Sequence, residues 1–147
     1  MYLTGFFNKF YGYCISAKIF FIELGKEQQI LFKIDSGCDI TTISFIDSLM
    51  LNLNYDELQN IETLTAGGEL ANSIIMNNCA LGFIVNNESI HFEILDNIHI
   101  SRPVLNPANI NYNKKLGLHL SLPSLLGLDV LRRYKVSYFN NVVYLEK

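Results

Sequence analysis

The sequence has no run approaching the roughly eighteen uninterrupted apolar residues that a membrane-spanning helix needs, which excludes a helical membrane protein. It has only three cysteines, Cys14, Cys38 and Cys79. They are odd in number and form no CxxC pair, so neither a disulfide framework nor a zinc site is expected, and reduced thiols in a cytoplasmic setting are the natural reading. Basic residues are sparse. Eleven Lys and Arg stand against fourteen Asp and Glu, for a net charge of −3, and the only close basic pairs are Lys114-Lys115 and Arg132-Arg133. Nucleic-acid binders need clustered basic side chains, so nucleic acid is excluded as a partner. The three histidines, His91, His99 and His119, lack ligand-like spacing, and no metal is expected. Repeats, linkers and low-complexity tracts are absent. Charged residues make up 17% of the chain, but 50% is apolar, so intrinsic disorder is excluded too. The aromatic stretch Met1 to Ala17 is interrupted by Asn8 and Lys9 and has no basic region before it, which makes a poor signal peptide.

What is present is one domain's worth of chain, 147 residues, long enough to bury a core without staples. Its apolar residues are arranged mainly as strands. Ile15 to Leu24 and Gln29 to Ile34 are β-branched and aromatic around Gly25, and predict a hairpin. Ser44 to Leu51 predicts a short helix, with Ser44 as N-cap and Asp47 in the first turn. Strand-like runs then recur at Ile61 to Ala66, Leu70 to Met76, Ala80 to Val85, Ser89 to Leu95 and Ile98 to Val104. Turn chemistry at Gly67-Gly68, Asn77-Asn78 and Asn86-Asn87 separates several of them. Asn106 to Gly117 reads as a polar surface loop with room for one helical turn. Leu125 to Leu128 has the character of a buried strand, Asp129 to Lys135 that of a capped short helix. Val136 to Phe139 and Val142 to Leu145 predict a last hairpin around Asn140-Asn141. The fold class expected is all-β, with one or two short helices.

One string carries chemistry: Phe32-Lys33-Ile34-Asp35-Ser36-Gly37-Cys38-Asp39-Ile40-Thr41-Thr42. An apolar strand runs into an acid, a small hydroxyl residue and a glycine, whose missing Cβ is expected to permit a sharp turn. Asp35 is thereby held at a strand end, where a carboxylate can activate a water if a neighbour tunes its protonation. Taken alone, Asp-Ser-Gly also fits a capped β-turn, and Gly67-Gly68 fits an ordinary hairpin turn.

The string resembles the active-site loop of the retropepsin-like aspartic proteases, Asp-(Thr/Ser)-Gly-Ala-x-x-Thr. A second signature of that family, two bulky apolar residues, Gly, a variable residue and Asp, matches Leu125-Leu126-Gly127-Leu128-Asp129. A third, a glycine-rich flap hairpin, matches Thr65-Ala66-Gly67-Gly68-Glu69. The helix at Ser44 to Leu51 is similar to one in cellular and prokaryotic-type members. The resemblance implies a closed acid-protease barrel with a flap hairpin over residues 14–147, preceded by an N-terminal extension over residues 1–13. That extension adds strands to a dimer interface, covers the barrel or is a removable leader. Two positions depart from the family. Cys38 stands where Ala is usual, and Leu128 stands where viral enzymes often carry an Arg paired to the acid equivalent to Asp39.

The resemblance also implies roles. Asp35, Ser36 and Gly37 would form the catalytic loop. Asp39, Ala66, Gly67, Gly68, Pro123 and Leu125 would contact substrate, and Thr41, Leu126, Gly127 and Asp129 would support the loop. Asp129 is read as an N-cap and loop anchor. No cofactor is implied. Pepsin-like enzymes use two carboxylates sharing one proton, and this chain has a single Asp-Ser-Gly, so the second carboxylate is expected from a second copy. The activity implied is hydrolysis of peptide bonds between hydrophobic residues. The alternative is an inactive module of the same fold that binds extended peptides.

Overall fold

The computed structural model describes residues 1–54, 58, 60–66, 69–85 and 89–147, with the backbone alone described at 60–66 and 69–71. The expected turns at Gly67-Gly68 and Asn86-Asn87 lie outside the described residues.

The first predicted hairpin forms as β2 (Gly12–Phe21) and β3 (Lys26–Ile34), joined by a 3-10 turn at Ile22–Leu24. Ile15, Ala17, Ile19 and Phe21 of β2 are buried, with Ile30 and Phe32 of β3. Side chains of a strand point alternately to its two faces, and this face turns to the core. Two long strands follow later in the chain, β6 (Glu69–Val85) and β7 (Ser89–Pro103). With the short strands β4 (Thr42–Ile43) and β8 (Ser124–Leu126) they run in the order β6-β7-β4-β8-β3-β2. The pairing of β2 with β6, from Lys18 opposite Gly82 to Phe21 opposite Cys79, closes that order into a six-stranded barrel. The expected all-β closed barrel is what the chain forms. Most neighbours are antiparallel, but β3–β8 and β4–β7 are parallel.

Four strands extend the sheet beyond the barrel. β5 (Asn60–Ala66) pairs with the early part of β6. On the other side β1 (Tyr2–Asn8), β10 (Val142–Glu146) and β9 (Lys135–Phe139) follow from β2 in that order. The expected β9–β10 turn forms, with Asn140 and Asn141 both at positive φ, 48° and 61°, the conformation of a type I′ hairpin turn. Residues 1–13 thus contribute a strand to the common sheet, with Leu3 fully buried. The core includes the fully buried Phe21, Phe32 and Phe83, each worth about 1.5–3 kcal/mol on leaving water.

Three local expectations are corrected. The runs at Leu70 to Met76 and Ala80 to Val85 form one strand, β6. Asn78 takes φ 54°, which Asn tolerates, while the ladder with β7 keeps its register from Asn77–Asn97 to Cys79–Leu95. Its side-chain amide donates to Glu23 Oε1 at 2.6 Å. The runs at Ser89 to Leu95 and Ile98 to Val104 likewise form one strand, β7, held along its length by β6. The loop expected over Asn106 to Gly117 keeps turns at Asn106 and Asn109 but then forms a helix, α2 (Tyr112–Ser121). Lys114, Lys115, Leu116, Leu118 and Leu120 are strong helix formers and carry the helix across Gly117. α2 buries His119 and packs against α1 (Phe45–Met50).

Residues near the C-terminus converge on one buried acid. Glu93 of β7 is 3% exposed and receives hydrogen bonds from Arg133 Nη1 at 2.7 Å, Lys147 Nζ at 2.7 Å and the Tyr134 hydroxyl, with His91 Nε2 at 2.8 Å. Burial alone would raise its carboxyl pKa. The bonds from Lys147, Tyr134, His91 and Arg133 overcome that and hold it at about 2,.

Candidate active site

Asp35 directly follows the last residue of β3. Ile34 is in parallel register with Leu126 of β8, and the Asp35 N–H extends that ladder to the Leu126 carbonyl at 3.1 Å. The chain then turns, closed by the Cys38 N–H on the Asp35 carbonyl at 3.2 Å. Inside the turn, Asp35 Oδ1 accepts from the Gly37 N–H at 2.9 Å. Gly37 is not among the glycines at positive φ, so the left-handed freedom of glycine is not what this turn uses. A Cβ there would sit 3.1 Å from Asp35 Oδ1, so its absence lets the carboxylate lie close against the backbone that binds it. The Asp35 side chain is 29% exposed, while Ser36, Gly37 and Asp39 are exposed.

The second motif locks this loop from behind. Thr41 is fully buried. Its hydroxyl donates to Asp129 Oδ1 at 2.7 Å and accepts from the Gly127 N–H at 3.0 Å. Its own N–H and that of Val130 also reach Asp129 Oδ1, each at 3.0 Å. The Leu128 N–H donates to the Cys38 carbonyl at 2.8 Å and the Asp129 N–H to the Asp39 carbonyl at 3.1 Å. The fit leaves no room at Gly127, where a Cβ would lie 2.7 Å from the Ile40 carbonyl carbon, 2.8 Å from Thr41 N and 2.9 Å from the Cys38 oxygen. Two segments far apart in sequence thus interlock through Thr41, Gly127 and Asp129. Asp129 is not an N-cap, since Gly127 holds that position and Asp129 lies in the first turn of α3 (Leu128–Leu131). Its carboxylate instead accepts from the Thr41 N–H and hydroxyl of the loop.

The expected N-cap of α1 forms, the Asp47 N–H donating to Ser44 Oγ at 3.3 Å. Ser124 of β8, which the sequence did not single out, ties the cap to the barrel. Its hydroxyl donates to Asp47 Oδ2 at 2.6 Å and accepts from the Ser44 N–H at 2.9 Å. Cys38 is half-buried, its thiol donating to the Ile40 carbonyl at 2.9 Å. Burial pushes that thiol's pKa up, so it is held as a neutral packing group.

The outer face of the barrel beside Asp35 follows from strand register. Cys14, Lys33, Leu125, Thr42, His99 and Ile75 are successive partners across β2, β3, β8, β4, β7 and β6, and paired residues project to one face. Lys33 and Asp35 are two apart on β3 and its extension, which puts them on the same side, and Lys33 Nζ lies 3.9 Å from Asp35 Oδ2. Sequence reading passed over Lys33, although the two-residue spacing was its signal. Leu125 and Pro123 are half-buried, with Leu125 in the row between Lys33 and Thr42. Ala66 ends β5 opposite Glu69 of β6. Gly67 and Gly68, expected at the flap tip, lie outside the described residues.

Among the described residues, no three His, Cys, Asp or Glu side chains are grouped to hold a metal ion, and no helix is long and apolar enough to cross a membrane. The three cysteines are free thiols.

No family model matches the sequence and no curated protein matches it. Among solved structures, the chain is similar to a retropepsin-like aspartic protease from Rickettsia conorii. The TM-score is 0.58 at 19% identity, and the match covers 99% of this chain and 89% of that one. At that identity the likeness concerns the fold, which is the retropepsin-like barrel.

Proposed function

We propose that this chain, built on the retropepsin-like fold, is an aspartic endopeptidase that works as a homodimer. The observation that carries the proposal is the position of Asp35. It stands at the end of a barrel strand, partly exposed, accepting the Gly37 N–H, on a loop fastened from behind through Thr41, Gly127 and Asp129. The pepsin-like mechanism needs a second carboxylate to share its proton, and Asp-Ser-Gly occurs once in the sequence. A two-fold axis beside the loop would set Asp35 against Asp35 of a second copy, with Ser36 and Gly37 at the base of the shared site.

Two carboxylates about 3 Å apart cannot both ionise, so the pair holds one proton and titrates as a unit. The ionised member takes a proton from a bridging water, which attacks the peptide carbonyl. The protonated member polarises the carbonyl oxygen and then supplies the proton that the leaving nitrogen needs. Backbone at Ala66, Gly67 and Gly68 would pair with the extended peptide and exclude water. Asp39 would meet the substrate backbone, and Pro123 and Leu125 would wall pockets for hydrophobic residues. The free cysteines support a reducing, cytoplasmic setting.

The test is digestion of a peptide library at mildly acidic pH by the wild type and by Asp35→Asn. Cleavage that is lost in the variant, and blocked in the wild type by a hydroxyl-bearing transition-state mimic such as pepstatin, supports the proposal. Equal cleavage by both proteins refutes it. Peptide affinity that survives the substitution with no turnover in either protein identifies an inactive binding module instead.

A further inference from the structure

Lys33 places a positive charge in the wall of this same site, and the proposed chemistry does not use it. Its ammonium lies 3.9 Å from Asp35 Oδ2, close enough for attraction but longer than the 2.7–3.2 Å or so of a hydrogen bond. Its three N–H donors are therefore not spent on Asp35. The Lys33 side chain is 38% exposed and stands in register between buried Cys14 and half-buried Leu125. Its charge reaches across that face, opposing the rise that burial imposes on the Cys14 thiol.

The consequence for substrate follows from charge. A dyad sharing one proton carries one negative charge, whereas two copies of Lys33 bring two positive ones. The dyad and its two Lys33 neighbours taken together are then net positive, although the chain as a whole is net negative at −3. We infer that Lys33 is a specificity-determining residue that selects a glutamate side chain next to the scissile bond, with its methylenes against Leu125 and its carboxylate on the Lys33 ammonium. A charge-assisted hydrogen bond supplies the attraction. A neutral isostere such as glutamine leaves the ammonium without its counter-charge when the peptide fills the cleft. The inference rests on the aspartic-peptidase reading and names one side chain that the site takes beside hydrophobic ones.

The experiment compares hexapeptides that differ only in the residue before the scissile bond, Glu, Gln or Leu, with Phe after it. They are hydrolysed by the wild type, Lys33→Met, Lys33→Arg and Asp35→Asn. The wild type is expected to favour Glu over Gln by roughly tenfold in kcat/KM. Lys33→Met should bring that ratio near unity, and Lys33→Arg should restore it. A wild-type ratio near unity, or a ratio unchanged in Lys33→Met, overturns the role of Lys33 while leaving the peptidase reading intact. Hydrolysis undiminished in Asp35→Asn, or absent from the wild type with every peptide, overturns the peptidase reading and this inference with it.

Discussion

Replacing Asp129 by alanine removes the side-chain acceptor that holds Thr41 of the candidate catalytic loop to the segment behind it. Asp129 Oδ1 accepts three hydrogen bonds, from the Thr41 N–H, the Thr41 hydroxyl and the Val130 N–H. The Val130 N–H also reaches the Gly127 carbonyl at 3.2 Å, so it keeps an acceptor. The two Thr41 donors do not, and Thr41 is fully buried. A buried donor left without an acceptor costs about 1–3 kcal/mol, so with two of them Asp129→Ala should lose about 2–6 kcal/mol of stability. Asp129→Asn keeps an oxygen for Thr41 but surrenders the charge, and should lose about half as much. With a slope of about 2 kcal/mol per molar urea, the alanine variant should unfold at a midpoint lower by about 1–3 M. The assay is urea denaturation followed by circular dichroism for wild type, Asp129→Ala and Asp129→Asn. A midpoint for Asp129→Ala indistinguishable from wild type would refute the claim that this carboxylate holds the loop.

Two further outcomes follow from the packing. Gly127→Ala drives a methyl to within 2.7–2.9 Å of three backbone atoms and should cost about 3 kcal/mol or prevent folding; an unchanged thermal midpoint would contradict the fit described. Glu93→Gln should cost about 1–3 kcal/mol at neutral pH, because it takes the charge from the buried acceptor on which Arg133, Lys147 and Tyr134 converge,. The sign of its pH dependence is set by a carboxyl held at about 2 against an ordinary 4.5. Its contribution is complete above the ordinary value and is lost as pH falls towards 2. Wild-type stability should therefore fall more steeply than that of Glu93→Gln across that window in denaturation series at stepped pH, and parallel slopes would refute the assignment.

The parts of the fold that were legible in the sequence are those whose cause is local. The β-branched and aromatic runs of β2 and β3, the Ser44 cap with Asp47, and the Asn140-Asn141 turn each follow from a few adjacent residues, and each forms. The long strands were less legible, because Asn77-Asn78 has the chemistry of a turn and only the partner strand β7 holds it in the ladder. α2 was obscured by Asn111, Asn113 and Gly117, whose weak helix preference is overcome by their neighbours and by packing against α1,. At the site, the Asp35 loop and the Gly127-Leu128-Asp129 segment were readable as motifs, but the bonds joining them through Thr41 are tertiary. The Glu93 cluster was missed because its partners Arg133, Tyr134 and Lys147 lie 40, 41 and 54 residues away. The local signals were an acid in phase with buried Leu95 and His91 two residues before it on the same strand.

The central claim is that catalysis needs Asp35 from two chains. It is tested by unfolding wild type and Asp35→Asn together in equal amounts, refolding the mixture and measuring its peptidase activity per wild-type chain. If each site needs both carboxylates, only wild-type pairs are active, about a quarter of all dimers. Activity per wild-type chain should then fall to about half that of wild type refolded alone. Activity per wild-type chain that is undiminished by the variant would contradict the shared site.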